Sequence, residues 1–210
     1  MAEVDRDGLL ALLLAQDRGR RTIVAIAGAP GSGKSTVAEA LVEHLNAAAP
    51  GLAALLPMDG YHYDDILLNQ WGIRKRKGAP DTFDVGGFAQ MLKRLRARDE
   101  AEVAVPVFDR AIEIARAGAR IIPATAAIII AEGNYLLLQR PPWPELAPLF
   151  DVTVMLDVPE TVLRERLTAR WQHYQLTPED IAFKLDGNDL PNGRVVRTES
   201  APAHHVMRNG

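Results

Sequence analysis

Apolar residues fall along this chain in short dense runs that alternate with stretches of helical spacing. Arg21 to Ala27 (RTIVAIA) is a β-branched run that ends in glycines. From Ser35 onward (STVAEALVEHLNAAA) the apolar positions take a helical period, so the pattern predicts strand, loop and helix. Leu52 to Met58 reads as a second buried strand broken by Asp59-Gly60, and Ala126 to Ala131 (AAIIIA) as a third. Asp151 to Asp157 gives a fourth, followed by a helix from about Pro159 to His173, with a last strand expected at Ala203 to Arg208. Strands alternating with helices predict an α/β fold whose parallel sheet is covered on both faces. The early run Leu9 to Ala15 follows three acidic residues and is too short for a membrane span, so it is expected to pack as a helix beside the first strand.

Gly72 to Pro123 breaks the pattern. It is polar, carries the basic run Arg74-Lys75-Arg76-Lys77, and offers only short strand-like pieces around Val103 to Phe108 and Arg120 to Ile122. This segment is expected to be an inserted subregion reaching over the sheet edge. With 210 residues in all, the expectation is one domain carrying that insertion.

Charge narrows the partners: 24 basic against 27 acidic residues leave a net charge of -3, without the positive excess of a nucleic-acid binder. Small-molecule partners are expected, with no nucleic acid and no membrane, and a homodimer is left open. The chain has no cysteine, which removes disulfides and thiolate metal sites and agrees with a cytoplasmic location.

The glycine loop carries the first chemistry. Gly28-Ala29-Pro30-Gly31-Ser32-Gly33-Lys34-Ser35, followed by Thr36, lies between a predicted strand and a predicted helix. Glycines there let backbone amides wrap a triphosphate, and the helix start adds its positive dipole end. Lys34 can reach the β and γ phosphates, while the Ser35 hydroxyl is placed for magnesium. ATP and Mg2+ are therefore the expected cofactors. Asp59 and Glu132 each end an apolar strand, where ligands of open parallel sheets bind. A carboxylate there can accept the proton of an incoming hydroxyl or help to hold magnesium.

In order along the chain stand GAPGSGKST, PMDGYHYDD, RKGAPDTFD, VPVFDR, IIIAEGNYLLL and RLTARW. This series resembles the P-loop kinase superfamily of uridine kinase, phosphoribulokinase and bacterial pantothenate kinase. It is most similar to a bacterial nucleoside/nucleotide kinase-like subgroup that includes fructokinases accompanying fructose import. The resemblance implies that Asp59 is the catalytic base and that Ser35, Asp59 and Glu132 form the magnesium environment. It also implies a lid over about residues 160 to 190, with Arg164, Arg166 and Arg170 on its helix. Arg166 and Arg170 are the expected catalytic arginines beside Lys34, since a planar guanidinium pairs well with phosphate oxygens. Acceptor contacts are expected from Tyr61, His62, Lys77, Asp84, Phe108, Arg110 and Glu132, and adenine is expected near the last strand.

Three positions depart from uridine kinase. Its ribose-holding aspartate is replaced by Lys77 or Gly78, a base-contacting tyrosine by Phe108, and a histidine by about Glu113. The expected activity is thus phosphorylation of an alcohol on a small metabolite, a sugar such as fructose before a nucleoside. Pantothenate is an alternative because of Arg76 and Lys77. An ATPase switch or assembly factor is the alternative of another class. The chain lacks both the Asn-Lys-x-Asp motif of GTPase switches and the Leu-Ser-Gly-Gly-Gln signature of transport ATPases.

Overall fold

In a computed structural model, which describes residues 2–17 and 19–210, eight strands form two sheets. The strands are β1 (Ala2–Glu3), β2 (Thr22–Gly28), β3 (Ala53–Pro57), β4 (Glu102–Asp109), β5 (Ile114–Pro123), β6 (Ile128–Gly133), β7 (Val152–Asp157) and β8 (His205–Arg208). Six of them make a fully parallel sheet in the order β1-β8-β7-β2-β6-β3, and β4 and β5 pair separately as an antiparallel hairpin. The helices are α1 (Arg6–Leu14), α2 (Lys34–Ala48), α3 (Asp65–Gln70), α4 (Val85–Ala97), α5 (Glu160–His173), α6 (Pro178–Lys184) and α7 (Leu190–Glu199).

The period-two alternation of β2 divides the interior. Val24 and Ile26 face α1 and α2, joining Leu9, Leu13, Val37, Leu41 and Leu45. Ile23, Ala25 and Ala27 face the other side, where α4 contributes Val85, Phe88, Leu92 and Leu95 at helical spacing. Leu9 and Leu13 are fully buried, so the early apolar run is the packed helix that its sequence suggests. The expected strands of the parallel sheet appear within two residues of their predicted limits, whereas the piece expected at Arg120 to Ile122 begins six residues earlier, at Ile114; Glu132 lies within the paired part of β6 rather than after it.

The 72–123 segment differs from its sequence reading. Only the hairpin β4–β5 stands apart from the main sheet, while α4 is a core helix whose apolar stripe covers one sheet face. Its polar face dominates the composition and hides that stripe. Arg120 of β5 donates to the Leu55 carbonyl on edge strand β3 at 3.1 Å, which ties the hairpin to the sheet edge.

Arg21 closes the bottom of the sheet. Its buried guanidinium donates to the carbonyls of Leu95, Ala126 and Pro123 at 2.6, 2.7 and 2.9 Å. It thereby caps the end of α4 and fixes the turn leading into β6. At the other end of the sheet α5, α6 and a π-helical turn over Leu185–Asp189 bury an apolar cluster of their own, Val158, Leu163, Leu167, Ile181, Leu185 and Leu190. No helix among the described residues is long and apolar enough to cross a membrane.

Candidate active site

The carboxyl ends of β2, β3 and β6 lie side by side because the three strands are neighbours in the sheet. β2 runs into the glycine loop, in which Gly31 and Gly33 hold φ of 80° and 85°, values that L side chains rarely adopt. α2 starts at once on Lys34, so its free amides face the loop. Lys34 is nearly buried, and its ammonium donates to the Ala29 carbonyl at 3.3 Å. Burial pushes its pKa down, while Glu132 and Asp59 oppose that shift.

β3 ends in a tight turn over Met58–Tyr61 that carries Asp59. Gly60 is required there: a Cβ would stand 2.4 Å from the Pro106 carbonyl oxygen, at the irregularity of β4. Burial alone would raise the pKa of Asp59, but His62, Arg110 and Lys34 outweigh it and hold the carboxyl below its usual value. Glu132, 6 % exposed at the end of β6, goes the other way and is pushed up to about 7, by burial first and then by the charge of Asp59. The Ser35 hydroxyl beside Glu132 opposes that rise. Ser35, Asp59 and Glu132 thus offer hydroxyl and carboxylate oxygens alone, the hard donors that fit magnesium.

Across the cleft from the loop stands the lid, which contributes Arg170, Trp171, Lys184, Asn188, Asp189 and Asn192. Trp171 donates to Asp189 at 2.7 Å, fixing a carboxylate that burial pushes up. A glycine loop, two carboxylates of opposite pKa tendency and a cationic lid therefore close around one cleft.

The sequence profile of the AAA domain family matches residues 24–182. The Escherichia coli (strain K12) protein YggC is 38% identical over 201 residues, spanning 95% of this chain and 82% of its own. A candidate uridine kinase of Schizosaccharomyces pombe, C227.14, is 33% identical over 180 residues, spanning 82% of this chain and 77% of its own. Among solved structures, a candidate fructose transport system kinase from Silicibacter sp. TM1040 superposes with a TM-score of 0.85 at 40% identity, covering 94% of this chain and 98% of that one. The chain is a P-loop kinase. It belongs to the superfamily of uridine kinase, phosphoribulokinase and bacterial pantothenate kinase, and it transfers phosphate to a hydroxyl of a small molecule. That membership sets aside the switch or assembly factor.

The kinase cleft gathers most of the residues singled out in the sequence. Pro30, Gly31, Gly33, Lys34, Ser35, Thr36, Asp59, His62, Lys77, Phe108, Arg110, Glu132 and Arg170 all line it. Seven others are placed elsewhere. Asp84 is the N-cap of α4 and accepts from the Gly87 amide at 2.8 Å. Tyr61 is buried edge-on against Phe88, with ring centroids 5.0 Å apart. Arg166 does not reach the cleft, and Arg164 is paired with Asp186 inside the lid at 2.7 Å. Gly28 and Ser32 lie beneath the loop, and Ala29 turns to a separate apolar cavity under α7.

Lys77 lines the cleft, but its ammonium is already spent on Asp65 at 2.6 Å and the Glu113 carbonyl at 2.7 Å. Arg110 donates to Asp59. The Phe108 ring is covered by His62, centroids 4.6 Å apart, and by the Lys77 ammonium at 5.3 Å.

Sequence reasoning missed three contacts. Asn209 donates to the Ser32 carbonyl at 2.7 Å and so braces the loop from the end of β8. Asn188 donates to the Lys77 carbonyl at 3.1 Å across the cleft, and Tyr135 donates to the Gly78 carbonyl at 2.6 Å. Amide and phenol partners of backbone carbonyls leave no motif.

Proposed function

We propose that this kinase binds ATP through residues 28–36 and transfers its γ-phosphate to a hydroxyl of a sugar or similar small polyol, with Asp59 as the base. The observation that carries the reading is the meeting of Lys34, Asp59, Glu132 and Arg170 in one cleft at the carboxyl ends of adjacent strands. Lys34 and Arg170 bring positive charge to the transferring group, where charge spreads over the phosphoryl oxygens. Ser35, Asp59 and Glu132 would hold a magnesium ion, which supplies charge neutralisation on the phosphates. Asp59, kept ionised by its cationic neighbours, accepts the hydroxyl proton as the oxygen attacks.

The acceptor side favours a polyol over a nucleoside. A base stacked on Phe108 would have to displace His62 and Lys77, and no carboxylate stands at Lys77 or Gly78 to hold ribose hydroxyls. The buried polar groups of a nucleoside would lose partners at about 1–3 kcal/mol each. Pantothenate is disfavoured on a different ground, since the Lys77 ammonium is already engaged by Asp65. The similarity to a candidate fructose transport system kinase supports fructose as the first sugar to test. ADP release in a coupled assay with fructose, other hexoses, uridine and pantothenate at equal concentration decides the matter. A higher kcat/KM for uridine or pantothenate than for any hexose refutes the polyol reading.

A further inference from the structure

Arg110 is bonded to the one group that the reaction needs free. It follows Phe108 and Asp109 at the tip of the β4–β5 hairpin, and its Nη2 donates to Asp59 Oδ2. The two side chains are 46% and 23% exposed, so the pair closes the cleft mouth without being sealed in the core.

Neighbouring contacts determine which partner can move. The Asp59 turn is wedged against Pro106 through Gly60, and the Asp59 carbonyl receives both the His62 amide at 3.2 Å and its ring Nδ1 at 2.7 Å. The Asp59 backbone is therefore held in place, and its short side chain has little reach. The Arg110 backbone is also held, because the Ala111 amide donates to Asp109 at 3.0 Å and Asp109 pairs with Arg116 at 2.9 Å. Its long side chain is the free element. The guanidinium already lies 5.8 Å from the centre of the Phe108 ring, which offers it a second resting place.

We propose that Arg110 is a positioning residue that makes phosphoryl transfer wait for the acceptor, selecting an acceptor hydroxyl over water. Its guanidinium occupies Oδ2 of Asp59, one of the two oxygens that can accept the proton of an attacking hydroxyl. A water molecule brings one contact and does not replace a charge-assisted bond, whereas a polyol engaging several cleft residues draws the arginine aside. The reaction held back is hydrolysis. In it the water oxygen bonds the γ-phosphorus, the bond to the β–γ bridging oxygen breaks, and the water proton passes to Asp59, yielding ADP and inorganic phosphate. This inference rests on Asp59 being the base.

The test needs no acceptor. Phosphate release from ATP and magnesium is measured for the native chain, Arg110→Met, Arg110→Gln and the double variant Asp59→Asn/Arg110→Met, with binding of a fluorescent ATP analogue and thermal melts as controls. The expected result is at least a tenfold rise in acceptor-free hydrolysis for Arg110→Met and Arg110→Gln, with native nucleotide affinity, and a return to the native level in the double variant. A merely structural Arg110 would lower activity, not raise it. No rise in either single variant overturns the proposal while leaving Asp59 as base untouched. A rise that persists in the double variant overturns Asp59 as the base, and with it the site reading.

Discussion

Gly60→Ala tests whether the acceptor half of the cleft is assembled as described. The added methyl would lie 2.4 Å from the Pro106 carbonyl oxygen and 2.7 Å from its carbon, both backbone atoms, where ordinary contact begins near 3.4 Å. Either the Asp59 turn or strand β4 must yield by about 1 Å, and β4 carries Phe108 and leads into Arg110 only a few residues further on. Overpacking of this kind costs about 1–3 kcal/mol of stability, and a misplacement of about 1 Å between base and acceptor costs roughly 100-fold in turnover. The glycine loop sits on β2 and α2 and does not feel the shift. Steady-state kinetics with the best acceptor should therefore show kcat/KM for that acceptor down roughly 100-fold, while the dissociation constant of a fluorescent ATP analogue stays within a factor of about two. Native kcat/KM in a folded Gly60→Ala variant, or an equal loss of ATP affinity, refutes the reasoning.

Lys34→Ala should reduce phosphoryl transfer by at least about 1,000-fold in the coupled assay while leaving the melting temperature within a few degrees, since it removes charge from the transferring group without opening the core. Arg21→Met should destabilise the fold by about 3 kcal/mol or more in urea titration, because the carbonyls of Leu95, Ala126 and Pro123 lose their buried donor together. Glu132, raised in the fold from 4.5 to about 7, favours the native state only while protonated. Its contribution is full below about pH 4.5, is lost as the pH rises through about 7, and amounts to about 3 kcal/mol. In the absence of nucleotide and metal, Glu132→Gln should melt like the native protein in acid and higher than it above about pH 8; identical curves at both ends would contradict this.

Much of the sheet was legible because buried parallel strands write themselves as unbroken apolar runs, as in RTIVAIA and AAIIIA. The glycine loop and the two strand-end carboxylates were legible for a related reason, since chemistry at the mouth of such a sheet must follow those runs. Helix α4 was not: its stripe of Val85, Phe88, Leu92 and Leu95 is interrupted by glycine, lysine and arginine, and a polar average concealed it. Asp84 and Tyr61 looked like acceptor contacts because they flank residues that line the cleft, yet a cap and a packed ring use the same letters. Arg164 and Arg166 illustrate a limit of helical counting. They share α5 with Arg170, but only Arg170 lies on the cleft.

The separate apolar cluster of the lid also sets what it takes to open the cleft. Leu167 belongs to that cluster, and its Cγ lies 2.9 Å from where a Cβ on Gly31 would be; Ala29 packs against the same cluster. The lid therefore rests its apolar underside on the outer wall of the glycine loop, while its arginine and asparagines face the cleft. Swinging it aside would part that seam and the Asn188 bond to the Lys77 carbonyl, and would leave both large cores on the sheet intact. The expectation is that product leaves by this local unpacking, and that the seam on reseating presses the loop back into shape for the next nucleotide.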